Sequence, residues 1–226
     1  MRKIVVAIDG YSACGKSSTA KQVASALGYK YIDSGAMYRA TTLYFLEHYI
    51  NLDNPKDVAK ALANLHIDFH YNERNGKNET YLNGLNVEEE IRTMRVSEKV
   101  SEVSTIKEVR HAMVAQQQKM GKSKGVVMDG RDIGTVVFPQ ADLKVFMTAD
   151  MDVRAGRRQE ELLAAGTLVD LDEIKQNLAH RDHLDSTRKE SPLIKADDAI
   201  EIDTSFLSFE DQVAQVVGLA KKIINK

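Results

Sequence analysis

The sequence predicts an α/β fold, a five-stranded parallel sheet flanked by helices with a small antiparallel β insert, and three observations carry that prediction. Short apolar runs alternate with segments of helical period along most of the chain, the pattern of parallel strands joined by helical crossovers. The first apolar run feeds a loop bracketed by Gly10 and Gly15, and a helical pattern opens directly behind it. One segment, His66 to Arg92, instead alternates apolar and polar residues around Asn75-Gly76 and Asn83-Gly84, the signature of consecutive antiparallel strands.

Taken in order, Lys3 to Asp9 (KIVVAID) is short and apolar like a buried parallel strand. The helix after the loop aligns Ala20, Val23, Ala24 and Leu27 on one face, and Gly28 ends it. YKYID (Tyr29 to Asp33) reads as the second strand, followed by a helix from about Gly35 to His48. Beyond the β insert, Val96 to Gln118 reads as helix. GVVMD (Gly125 to Asp129), LKVFMTA (Leu143 to Ala149) and AIEID (Ala199 to Asp203) supply the remaining strands. Ser208 and Asp211 form a capping box ahead of a last helix whose apolar face is Val213, Val216, Val217 and Ala220.

Composition narrows the function classes. The 226 residues are 43% hydrophobic with a net charge of -2, enough to bury a core and too little basic excess to coat nucleic acid. No apolar run approaches the roughly 20 residues of a membrane span, and no signal-peptide pattern opens the chain, so a cytoplasmic protein with no membrane partner is expected. The absence of an exposed apolar stripe points to a monomer. The single cysteine, Cys14, has no partner for an internal disulfide and sits at an unconstrained loop position, as a small filler or a reactive thiol. His66 with His70, and His180 with His183, lack a third ligand nearby, so no histidine metal site is expected.

The glycine loop carries the chemistry. Gly10, Tyr11, Ser12, Ala13, Cys14, Gly15, Lys16, Ser17 and Ser18 match G-x-x-x-x-G-K-[ST], between a buried strand and a helix. Backbone N–H groups of such a loop wrap phosphates, and the helix N-terminus adds its partial positive charge. Lys16 would reach the β- and γ-phosphates of a nucleoside triphosphate such as ATP, and Ser17 would ligate Mg²⁺ through its hydroxyl.

Nucleotide binding leaves its use open. The guanine-reading N-K-x-D of a switch GTPase is missing, and the best candidate for an ATPase strand ending in Asp-Glu, VVMDGRD (Val126 to Asp132), continues with glycine. Arginines are abundant instead. Arg39 lies just inside the helix after the second strand and Arg131 just past the end of the third, at the carboxyl edge where open α/β sheets bind ligands. Guanidinium forks match phosphate oxygens bidentately, so both are candidates for a second phosphate-bearing substrate. Arg154, Arg157 and Arg158 share one face of a helix beginning near Asp150, a face that can be merely solvated or can serve phosphates.

DSGAMYR (Asp33 to Arg39), DGRDIGTVVFP (Asp129 to Pro139), RAGRR (Arg154 to Arg158) and RDHLDSTR (Arg181 to Arg188), in that order behind the loop, resemble the bacterial cytidylate kinases over nearly the whole chain. The resemblance implies a P-loop kinase transferring phosphate from ATP to CMP or dCMP. It implies a core (1–35, 123–150 and 171–226), an acceptor-binding region (36–122, with the insert at about 63–95) and a helical lid (about 151–170). It also implies a CMP site of Ser34, Arg39, Ser101, Arg110, Gly130, Arg131, Asp132, Arg181, Asp185 and Arg188. Lys16, Arg131, Arg157 and Arg158 would be catalytic, with Arg157 also on ATP. Tyr11 and Cys14 depart from the family's usual loop residues at variable positions.

From the residues alone, other readings stay open: a nucleotide-sensing module without turnover, or a kinase for UMP, AMP or shikimate. Ser101 also reads as a surface serine, and Arg181, Asp185 and Arg188 as an ion-pair ladder. Asp132 has a chemical argument of its own, because a carboxylate accepts from the cytosine amino group and repels the uracil carbonyl.

Overall fold

The computed structural model describes residues 2–73, 77–164 and 166–225. In chain order the elements are β1 (Val5–Gly10), α1 (Lys16–Leu27), β2 (Lys30–Asp33), α2 (Ser34–Glu47), α3 (Pro55–Ala63), β3 (Ile67–Asn72), β4 (Lys77–Leu82) and β5 (Leu85–Asn86). There follow a 3₁₀ turn (Glu90–Arg92), α4 (Met94–Val103), α5 (Lys107–Gly121), β6 (Val126–Gly130), a π-helical turn (Ile133–Val137) and β7 (Leu143–Thr148). The chain closes with α6 (Met151–Ala164), α7 (Leu171–Thr187), β8 (Ile200–Asp203) and α8 (Phe209–Ile224). Residues 1–31 with 121–226 form one unit, and residues 32–120 another.

The first unit is built on the expected five-stranded parallel sheet, in the order β2-β6-β1-β7-β8. Every residue of β1 is buried. Its neighbours are β6, with Val6 opposite Val127, and β7, with Val6 opposite Leu143. Ile4, Val6, Ile8, Val127, Val145 and Met147 form the core with Ala20, Val23 and Ala24 of α1 and Val216 and Ala220 of α8. Each large apolar side chain withdrawn from water contributes about 1.5–3 kcal/mol, which holds this face of β1 against α1 and α8. The loop after β1 therefore leaves the middle of the sheet at its carboxyl edge.

Helix ends follow local chemistry. Gly28, left-handed at φ 65°, ends α1, its N–H bonding to Ser25 O at 3.2 Å. The Asp211 N–H donates to Ser208 Oγ at 3.1 Å and the Ser208 hydroxyl to Asp211 Oδ2 at 2.7 Å, the capping pair expected for α8.

The second unit holds α2 to α5 and the antiparallel sheet β3-β4-β5. Ile67 pairs with Leu82 and Leu82 with Leu85, so Asn83-Gly84 turns the chain as expected, Asn83 at φ 49° and Gly84 at φ 84°. The Asn75-Gly76 turn lies outside the described residues. His66 Nε2 pairs with Asp68 Oδ2 at 2.8 Å, and His70 packs edge-on against Tyr81.

One expectation is corrected. The helix read over Val96 to Gln118 is two helices, α4 and α5, interrupted at residues 104–106. The Ser104 hydroxyl donates to Ser101 O and that of Thr105 to Glu102 O, both at 2.8 Å, which gives the backbone an alternative to continuing the helix.

Candidate active site

The glycine loop is shaped by backbone constraints that its sequence foreshadows. Gly10 has φ 147°, and a methyl group on it would lie 2.0 Å from the Met147 carbonyl oxygen of β7, so only glycine lets the chain turn there. Ala13 (φ 58°) and Gly15 (φ 90°) are also left-handed. Such alternation turns successive N–H groups into a concave anion cradle. Cys14 is fully buried in the core beneath it, with its thiol on Tyr11 O at 3.0 Å. That is the filler role rather than an exposed thiol.

Lys16, the first residue of α1, is buried, with its ammonium on the Tyr11 carbonyl oxygen. Burial, and then the nearby Arg131 guanidinium, hold its pKa below the ordinary lysine value. Ser17 and Ser18 lie exposed on the same helical turn. The Ser17 hydroxyl donates to Asp129 Oδ2 at 2.6 Å, and the Tyr31 hydroxyl to Asp129 Oδ1 at 2.9 Å. A hydroxyl and a carboxylate at the end of a phosphate-binding loop are the hard oxygen donors that Mg²⁺ prefers. Asp129 is thus a candidate site residue to which the sequence analysis assigned no role. Its signal was present, an apolar strand ending in aspartate.

Arg131 follows β6. Its Nε donates to Asp185 Oδ2 at 2.7 Å and its Nη2 to Ser12 Oγ at 2.8 Å. Burial works against its charge, yet the Asp185 carboxylate raises its pKa above the usual arginine value. Asp185, on α7, is half-buried; burial raises its pKa, but Arg131 and Arg188, with Arg181 further off, hold it below the usual carboxylate range. Arg188 Nη1 reaches Asp185 Oδ1 at 3.1 Å and its Nε the Ser191 carbonyl at 2.9 Å. Asp185 is thus bonded on one oxygen by Arg131 and on the other by Arg188, while Arg181 acts on it through its charge. Gly130 and Asp132 flank Arg131, and Asp132 is buried.

The three arginines of α6 have different partners. Arg154 is buried, paired with Asp182 of α7, donating to the Ala149 and Ser12 carbonyls, and lying 5.3 Å from the Tyr11 ring centroid. Arg157 donates to Thr204 Oγ1 at 3.0 Å and Thr204 O at 2.8 Å, and Arg158 pairs with Glu161 at 2.9 Å. Asp182 also accepts from the Ser12 N–H at 3.2 Å, tying the loop to α7; it lies within RDHLDSTR, where the sequence analysis gave it no role.

Within the second unit, Asp33 caps α2 through the Ala36 N–H at 2.8 Å and holds Arg39 Nη2 at 3.0 Å. Ser34, the first residue of α2, is buried. Arg110 is almost completely buried, 5.2 Å from the Tyr38 ring centroid, with Nη1 on the Ser104 carbonyl at 3.0 Å. Ser101 sits half-buried on α4, its carbonyl accepting from Ser104.

The parallel sheet, the glycine loop on its central strand, and a lysine and an arginine converging at that loop define a phosphotransferase of the P-loop kinase class. The comparisons narrow this. The family model described as cytidylate kinase matches residues 6–222. A cytidylate kinase of Cytophaga hutchinsonii is 62% identical over 97% of this chain and 94% of its own, and one of Bacteroides fragilis is 52% identical over 99% of each. The crystal structure of an uncharacterized protein from Eubacterium ventriosum covers 99% of both chains with a TM-score of 0.50 at 13% identity, a likeness of fold alone. The chain belongs to the cytidylate kinase family. Among the described residues no helix is long and apolar enough to cross a membrane.

Proposed function

We propose that this enzyme transfers the γ-phosphoryl group of ATP to CMP or dCMP, giving ADP and CDP or dCDP. One observation carries the reading furthest: Lys16 opens α1 directly behind the glycine loop, and Arg131, beyond β6, donates from Nη2 to the Ser12 hydroxyl of that same loop at 2.8 Å. Two cations that repel each other at the mouth of an amide cradle are relieved by the phosphates they would hold.

Phosphoryl transfer asks the protein for in-line positioning and for cations where charge spreads in the transition state. The amides of Gly10 to Ser18 and Lys16 hold the triphosphate. Ser17, with Asp129 behind it, would hold Mg²⁺, which would supply positive charge to the phosphate oxygens. Arg131 and Arg39 take the acceptor phosphate, while Ser34, Ser101, Arg110, Gly130 and Asp132 serve the acceptor nucleotide and its base. Asp185, supported by Arg181, takes the sugar hydroxyls, and Arg188 the base or phosphate. The segment 151–170 acts as a lid that brings Arg157 and Arg158 to the phosphates and excludes water. The enzyme works as a cytoplasmic monomer.

The test is an acceptor panel. Purified protein with Mg²⁺ and ATP is offered CMP, dCMP, UMP, AMP and shikimate, and products are resolved by chromatography. CDP and dCDP are expected to dominate, with loss of turnover in Lys16→Ala. A different preferred acceptor, no product at all, or an active Lys16→Ala enzyme overturns the reading.

A further inference from the structure

The end of β1 holds a buried carboxylate that none of the roles above uses. Asp9 precedes Gly10 and is almost wholly enclosed. Its Oδ1 accepts from the Ile133 N–H at 2.8 Å and its Oδ2 from the Gly134 N–H at 2.7 Å. Two successive amides at the start of the π-helical turn are thus satisfied by one side chain from another strand. A carboxylate is the side chain that can accept on both oxygens at once.

The consequence falls on the residue just before those amides. The Asp132 carbonyl accepts from the Val136 and Val137 N–H groups at 2.9 and 3.1 Å. The Ile133 N–H, the other end of the same peptide unit, belongs to Asp9. With both ends of that planar unit bonded, the backbone that carries the Asp132 side chain is held in place on its carbonyl side. On the other side, Gly130 lies opposite Asp9 in the β1–β6 register, so Asp9 also fixes where the strand delivers the segment.

Gly134 shows how closely this is built. A methyl group there would lie 3.3 Å from Asp9 Oδ2 and 3.2 Å from Cδ of Lys144, tighter than ordinary contact, so a side chain at residue 134 would press on the carboxylate and on Lys144. The arrangement also runs against stability, since burial makes the charged form of Asp9 costly. A group kept there despite that cost fits a positioning role better than a purely structural one.

We propose that Asp9 is a positioning residue for base selection: by gripping the Ile133 and Gly134 amides it sets the direction of Asp132 and thereby the preference for cytosine over uracil. This rests on the reading that Asp132 faces the base.

The experiment compares kcat/KM for CMP and UMP in wild type, Asp132→Ala, Asp9→Asn and Gly134→Ala, with thermal melts confirming the fold. Asp9→Asn keeps the shape but offers one acceptor where two are needed. The expected result is a fall of about tenfold or more in the CMP/UMP ratio for all three variants, with the KM for ATP within about threefold of wild type for Asp9→Asn and Gly134→Ala. If Asp132→Ala removes the preference while folded Asp9→Asn and Gly134→Ala keep it, the inference is wrong. If Asp132→Ala itself keeps the preference, the base-reading role falls and this inference with it. Amide exchange in wild-type protein gives a check independent of variant folding. Ile133 and Gly134 should be protected as well as the amides of β6, and rapid exchange there overturns the grip.

Discussion

Ser17 and Asp129 are 112 residues apart in sequence, and the hydroxyl of one donates to the carboxylate of the other at 2.6 Å. The bond joins the first turn of α1 to the end of β6, so the strand beside the loop orients the hydroxyl that the loop presents. Asp129→Asn should therefore lower kcat by about 10–100-fold and raise the Mg²⁺ concentration needed for half-maximal rate. Magnesium titrations of initial rate in wild type and variant measure it; an unchanged magnesium requirement would dissociate Asp129 from the metal.

Arg131 is a fork and not a point charge, with Nε on Asp185 and Nη2 on Ser12. Arg131→Lys keeps the charge and loses the fork. Its kcat/KM for CMP should fall by about 10²-fold or more, while ATP binding without acceptor changes little. Steady-state kinetics together with calorimetric ATP titration separate these effects, and an equal loss on both sides would place Arg131 on the donor.

Asp9 makes stability depend on pH in an unusual direction. Burial raises its pKa to about 7; the Ile133 and Gly134 amides and Lys16 oppose that rise, and Asp132 adds to it. Unfolded, the group titrates near 3.8. The folded chain therefore holds this proton over a window in which the unfolded chain has lost it, so Asp9's contribution falls as pH rises from about 4 to about 7. The whole effect is on the order of 4 kcal/mol. Urea unfolding of wild type and Asp9→Asn across that window should show the variant gaining on wild type with pH; parallel curves would contradict the assignment. Asp185, whose pKa is lowered, contributes with the opposite sign, and its stabilisation is lost as pH falls through its folded value.

Gly10 tolerates no side chain. With φ 147° and a would-be methyl 2.0 Å from the Met147 carbonyl oxygen, Gly10→Ala must move β7 or the loop. A loss of about 3 kcal/mol or more is expected, read as a large drop in Tm together with loss of nucleotide binding. A variant that melts like wild type would show that the loop can turn another way.

What the sequence made legible were features set by near neighbours. The apolar strands, the glycine loop and the Ser208–Asp211 cap each announce themselves within a few residues, and the structure reproduces them. The less legible features have partners far along the chain. Asp129 looked unpromising because glycine follows it, yet its partners, Ser17 and Tyr31, lie about a hundred residues earlier. Arg154, Arg157 and Arg158 share a helical spacing that suggested common action. Their partners on α7, at Thr204 and within α6 itself draw them apart. The break between α4 and α5 was local and could have been seen, since Ser104 and Thr105 carry hydroxyls able to compete for carbonyls. Asp9 read as the last residue of a strand, and only the folding of residues 133–134 onto it reveals its grip.

The Arg131–Asp185 pair means that the guanidinium assigned to the incoming monoester already has a tethered counter-ion. Acceptor binding becomes an exchange of one anion for another. Ionic strength should accordingly weaken acceptor affinity less than it would for a bare cation, and departure of the product is assisted by a rival that never leaves the molecule.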